Sequence, residues 1–140
     1  MNAQHNPIHW NENWYASIVL LLLGGMAIAT AVMMGVGDNI PAIGLLYVGL
    51  GLCGLAIVRN WNKPIQYGRL LILSIVGFPV FVVLHNLFYG LAIWLDAYTL
   101  VTGLLGVLEA GFFIIAVLIC PVTAVIGFFG LLKTWLSANQ

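Results

Sequence analysis

The chain is 140 residues long, 63% hydrophobic and only 6% charged, with a formal net charge of zero. A soluble domain carries about 25% charged residues to cover its surface, so this composition excludes a water-soluble fold, and zero net charge gives no electrostatic case for nucleic acid. The length suits one domain, leaving no room for a separate catalytic domain, and any chemistry belongs inside or at the membrane.

The head, residues 1–14, is polar, with a single charge at Glu12 and with Trp10 and Trp14 close to the first apolar run. It reads as an interfacial lead-in. It has none of the basic residues, short apolar core and small-residue cleavage site of a secretory signal, so the first span is expected to be retained. His5 and His9 stand four apart ahead of Glu12, a spacing that can bind metal on a helix, but Pro7 between them argues for a solvated head. The first span is predicted at about 15–35. Tyr15 to Met34 is 20 residues without a charge, matching the roughly 20 helical residues needed to cross about 30 Å of hydrocarbon. Turn residues follow in Gly35-Val36-Gly37-Asp38-Asn39, and Pro41 suits the first turn of a second span over 40–58.

Residues 59–69 form the one substantial polar loop and hold Arg59, Lys63 and Arg69, three of the four cations. Positive loops stay cytoplasmic, though three cations are too few for a lipid-binding polybasic cluster. A third span is predicted at 70–95, long enough to tilt or bend, with Pro79 removing a backbone donor near its middle and Asp96 marking its far end. Tyr98 to Leu132 is 35 residues, about 52 Å as one straight helix and too long for a single crossing. The preferred reading lays 98–106 along the outer interface, loosened by Gly103 and Gly106, and runs a fourth span over 107–132. The alternative is a hairpin at Cys120-Pro121, giving five spans. That segment is too apolar for a water-exposed turn, and five spans would strand Lys133 away from the other cations.

The predicted fold is an all-α integral membrane protein: four transmembrane helices in an antiparallel bundle, helix 3 bent near Pro79 and helix 4 near Pro121. Both termini are cytoplasmic, Arg59, Lys63, Arg69 and Lys133 lie inside, Asp38 and Asp96 outside, and the expected location is the plasma membrane. Trp14, Trp61, Tyr67 and Trp135 then form the inner aromatic belt and Trp94 and Tyr98 the outer one. Helices in lipid associate through small residues. Among 16 glycines, Gly25 with Ala29 and Gly49 with Cys53 are small pairs four apart, read first as intrachain packing and second as oligomer contacts. Cys53 and Cys120 lie at about 9 and 20 Å from the inner face, depths that forbid a disulfide; both read as packing residues.

Few groups can carry chemistry. His85 lies 16 residues from Arg69, about 24 Å deep, and Glu109 lies 24 residues from Lys133, about 36 Å. Ser74, Phe78, Phe81, His85 and Tyr89 share one helical face, with Asn86 beside it. The candidate polar site is therefore His85, Asn86, Tyr89 and Glu109, because an ionisable residue inside the membrane is costly and normally needs a partner. If the two charged-type residues meet, the pair could hold and release a proton; the bland reading is an interhelical hydrogen bond with Glu109 in the headgroups. Haem would need a second ligand such as Met33 or Met34, and no metal or cofactor is expected. Pro79-Val80-x-x-Val83-Leu84 and Pro121-Val122-x-x-Val125-Ile126 are faintly alike, as paired broken spans of transporters can be. No nucleophile with a base, phosphate loop or carboxylate pair is visible, so enzyme activity is not expected. Two functions are compatible with these residues: a non-catalytic subunit or interaction protein partnered by lipid, other membrane subunits or copies of itself, or a small oligomeric transporter or channel, proton-linked or for an apolar substrate such as a lipid, quinone or drug.

Overall fold

The computed structural model describes residues 11–37, 39–95 and 99–138. Head residues 1–10, including His5 and His9, and the turn or boundary residues Asp38, Asp96 and Tyr98 lie outside the described residues. Every regular element described is helical: α1 (Asn11–Met34), α2 (Ile40–Val58), α3 (Pro64–Trp94), α4 (Thr99–Ile114), a π turn (Ile115–Ile119) and α5 (Cys120–Ala138). The last three form one run, so four helices are long and apolar enough to cross a membrane. The chain divides into two compact units, residues 1–60 and 61–140.

The first unit is the α1–α2 hairpin. Gly35 takes a left-handed φ of +78° just past α1, a conformation that glycine adopts without Cβ strain. Asn39 then serves both helices: its Nδ2 donates to the Met34 carbonyl at 3.1 Å, and its Oδ1 accepts from the Ala42 amide at 3.3 Å, an N-cap with Pro41 in the first turn. The helices cross at Gly24 and Gly49. A Cβ at Gly24 would meet the Gly49 carbonyl oxygen at 2.7 Å and the Cys53 Sγ at 2.6 Å, and one at Gly49 would meet the Gly24 carbonyl oxygen at 2.8 Å. Gly49 and Cys53 are thus a contact pair, but Gly25 and Ala29 are exposed. The small residue used by α1 is one position earlier, a rotation of about 100° around the helix.

The second unit pairs α3 with the α4–π–α5 run. Pro64 opens α3, and the Lys63 amide donates to the Gln66 Oε1 at 3.3 Å. The expected loop 59–69 is therefore shorter, because proline at the first helical position and this cap start the helix six residues before the predicted 70. The helix continues through Pro79. Residues 99–106, expected to lie loose at the interface, are helical and run without a break into 107–114. Glycine costs a helix only about 1 kcal/mol relative to alanine, so Gly103 and Gly106 do not break it. The alternative hairpin at Cys120-Pro121 is likewise replaced by continuous helix. Pro121 has no N–H to give and its ring crowds the carbonyl four residues back; the π turn just ahead of it, with the Cys120 amide donating to the Ile115 carbonyl, shifts the hydrogen-bond ladder by one residue. Pro79 has no such turn, so the two proline segments differ in backbone.

Candidate functional site

The seam of the second unit is built from one face of α3: Tyr67, Leu71, Ser74, Phe81, His85 and Phe88. These stand at multiples of about 3.5 residues, the coiled-coil period. They meet the other run in antiparallel order. Tyr67 packs on Gly130, Leu71 on Gly127, where a Cβ would stand 2.9 Å from the Leu71 amide nitrogen, and the Ser74 Oγ lies 2.7 Å from the Thr123 Oγ1. Farther along, Phe112 stacks between Phe81 and Phe88 at centroid distances of 5.9 and 5.3 Å. The polar pair lies within the same stretch, His85 between the two phenylalanines along α3 and Glu109 three residues before Phe112.

His85 and Glu109 are brought together by this register. The His85 Nδ1 is 3.3 Å from the Glu109 carbonyl oxygen and 3.7 Å from its carboxylate Oε1. The Phe113 ring lies 5.2 Å from the imidazole, centre to centre. The side chains are 24% and 26% exposed, so the contact is partly covered. The nearer acceptor is the main chain, which fixes the imidazole whether or not the carboxylate is charged.

Asn86 and Tyr89 do not join this pair. The Asn86 Nδ2 donates to the Val82 carbonyl of its own helix at 2.8 Å, and Tyr89 is 52% exposed. Phe88, one residue before Tyr89, takes the seam position that the sequence assigns to the tyrosine. Phe78 stands at the seam's edge. Sequence reasoning missed Phe88, Phe112, Phe113 and Thr123; the signal available was the unbroken three-and-four spacing from Tyr67 to Phe88.

The topology residues Arg59, Lys63, Arg69 and Lys133 are exposed. Arg59 caps the end of α2. In the second unit Lys63 is four residues before Tyr67 and Lys133 three beyond Gly130, so the Tyr67–Gly130 contact puts both lysines, and Arg69, at one end of the pair and His85 with Glu109 toward the other. The Tyr67 hydroxyl donates to the Trp61 carbonyl at 3.1 Å, with the two rings edge to face, so aromatics and cations share that end. Cys53 and Cys120 are both free thiols. Among the described residues, no group of three His, Cys, Asp or Glu side chains converges on a point that could hold a metal.

No family model, curated protein or solved structure matches the chain.

Proposed function

We propose that this helical membrane protein is a non-catalytic subunit or interaction protein of a membrane complex or homo-oligomer. The observation that carries the reading is the fate of the polar groups in its spans. Ser74 is spent on Thr123 and His85 on Glu109 across the seam, and Asn86 and Thr30 on the Val82 and Met26 carbonyls of their own helices. A water-filled pathway needs such groups turned toward a lumen. Meanwhile apolar side chains such as Met33, Ile40, Trp94 and Leu100 are exposed over the whole length of the helices, a surface suited to lipid and to other membrane helices.

The proposed setting is the plasma membrane. The spans cross in alternate directions with both termini cytoplasmic, Arg59, Lys63, Arg69 and Lys133 inside, and bends near Pro79 and Pro121. The clustering of Lys63, Arg69 and Lys133 at one end of the second unit supports this orientation.

A second reading, proton-linked transport through His85 and Glu109, has one observation in its favour: both side chains keep about a quarter of their surface open, enough for a proton to reach them. Purification in a mild detergent followed by native mass measurement tests the first reading. A fixed-stoichiometry assembly with itself or a partner is expected, and a monomer under every mild condition would count against it. Unchanged proteoliposome flux in His85→Ala and Glu109→Gln would remove the second.

A further inference from the structure

The seam of the second unit brings two lysines to one place from distant parts of the chain. Tyr67 packs on Gly130. Lys63 lies four residues before Tyr67, and Lys133 three beyond Gly130 on the antiparallel helix, about 6 and 4.5 Å toward the same end, so the two stand level to within about 2 Å. They also share a flank. A Cβ at Gly68 would meet the Leu131 Cδ1 at 3.8 Å, which marks one side of the seam. At about 100° per residue, Lys63 falls about 40° from Tyr67 in the sense away from Gly68, and Lys133 about 60° from Gly130 in the sense away from Leu131, so both lie on the other side. Arg69, two residues past Tyr67, is turned to the back of α3. Both lysines are exposed, and the one acidic side chain among the described residues of this unit, Glu109, sits with His85 toward the opposite end. Trp61 and Tyr67 stand at the lysine end with ring centroids 5.5 Å apart, joined by the bond from the Tyr67 hydroxyl to the Trp61 carbonyl, and amphipathic rings of this kind settle at the headgroup level of a bilayer.

We propose that Lys63 and Lys133 form a binding site for the phosphate headgroup of an anionic phospholipid such as phosphatidylglycerol. This is a basic pocket between two spans, a form of headgroup recognition distinct from the polybasic segment that the loop alone is too sparse to make. Two flexible four-carbon stems rooted level on adjacent helices bring an ammonium to either side of one phosphate. A net negative lipid is specified because the unit supplies two cations and no carboxylate at this end, whereas a zwitterionic headgroup brings a cation of its own. A lipid, not a soluble anion, is specified because the lysines stand at the ends of apolar spans beside interfacial rings, where the phosphate of a lipid is already held at that depth and its chains lie along the exposed apolar faces. The site requires only that the helices cross a bilayer, and it does not depend on what His85 and Glu109 do.

The test uses the full chain in phosphatidylcholine vesicles with a trace of phosphatidylglycerol that carries a diazirine beside the ester of one acyl chain. After illumination, peptide mass mapping should place adducts on residues 61–67 and 130–135, and an equally placed diazirine on phosphatidylcholine should not concentrate there. Lys63→Gln and Lys133→Gln should each cut the adducts about fivefold, and the double variant about 25-fold, the factors that about 1 kcal/mol per lysine supplies. The helix cap survives the first change, because it uses the main-chain amide of Lys63. Arg69→Gln removes the same charge at the same end but across a helix about 10 Å wide, a full Debye length at about 0.1 M salt, and should change the adducts by less than about twofold. Equal losses in the three single variants, equal concentration of the two photolabels, or adducts spread evenly over all four spans would overturn the proposal. Displacement by inorganic phosphate or by soluble polyglutamate, beyond that caused by sodium chloride at the same ionic strength, would also overturn it, by putting a free anion or an acidic protein segment in place of the lipid. The photolabel and displacement comparisons use the unaltered chain and need no variant to fold.

Discussion

Gly127 lies so close to Leu71 that a single methyl group added to it would stand 2.9 Å from the Leu71 amide nitrogen and 3.1 Å from its Cα. Backbone cannot yield as a side-chain tip can, so the α3–α5 separation is set here. Gly127→Ala should destabilise the protein by about 1–3 kcal/mol, the usual cost of overpacking. Gly111→Ala, where nothing lies within 4 Å, should be neutral or stabilising by up to about 1 kcal/mol. Denaturation in mixed micelles followed by far-ultraviolet circular dichroism checks both. Equal losses in the two variants would mean the close approach does not matter.

In the first unit the same logic separates two adjacent glycines. Gly24 faces Gly49 and Cys53, while Gly25 has nothing within 4 Å. Gly24→Val should part α1 from α2 and raise the reactivity of Cys53 toward a membrane-permeant maleimide; Gly25→Val should leave it unchanged. The reverse order would mean that α1 is rotated by one residue.

That one-residue distinction is where sequence reading stops. The exit from α1 is legible because Gly35 and Asn39 are turn residues with distinct local tasks, and the spans are legible because their lengths fit a bilayer. Facing is not. On a soluble helix the polar side marks the outside, but here both faces of every span are apolar, so Gly24 and Gly25, or Phe88 and Tyr89, cannot be told apart without the packed partner. Residues 99–106 carry the same lesson from the other direction: Gly103 and Gly106, which read as loosening the chain, stand inside a continuous helix, because a glycine costs a helix only about 1 kcal/mol. His85 and Glu109 stood out because ionisable groups are rare in such segments, whereas their meeting depends on the register of the whole seam.

Ser74 and Thr123 form the polar link of that register near its middle. Their hydroxyls also bond to carbonyls of their own helices, so each keeps a partner when the other is removed. A double-mutant cycle of Ser74→Ala and Thr123→Ala should therefore give a coupling of only about 0.6 kcal/mol, the average for interhelical hydrogen bonds in membranes. A coupling above about 1.7 kcal/mol, the upper end of that range, would show that the self-bonded alternative is not used.

At the far end of the seam, His85 leans first on the main chain of Glu109 and only second on its carboxylate, at 3.3 against 3.7 Å. Glu109→Gln leaves the main-chain acceptor in place and should cost under about 0.5 kcal/mol, whereas His85→Ala loses the bond and the Phe113 contact and should cost about 1–2 kcal/mol. Unfolding equilibria of the two variants in the same micelles decide it. Equal costs would make the carboxylate the real partner.

The π turn at Ile115–Ile119 should determine which residues of α4 face α3. A π turn is an α-helix with one residue inserted, so deleting one residue inside it restores plain α-helix while leaving both flanking faces as they were. Deleting Val117 should therefore keep Glu109 opposite His85, and a short bis-maleimide should still join cysteines placed at 85 and 109. Deleting Phe128, between the two contact glycines Gly127 and Gly130, should instead rotate Gly130 by about 100° away from Tyr67 while the longer part of the seam before it, and that crosslink, stay in place. The deletion at 117 carries its own cost, because the ring of Pro121 then meets an α-helical carbonyl, a clash of about 3 kcal/mol in a helix interior. In a Pro121→Ala background the clash disappears, so the deletion should be markedly better tolerated there than alone. Additive losses in the combined variant would mean that the turn answers to something other than the proline.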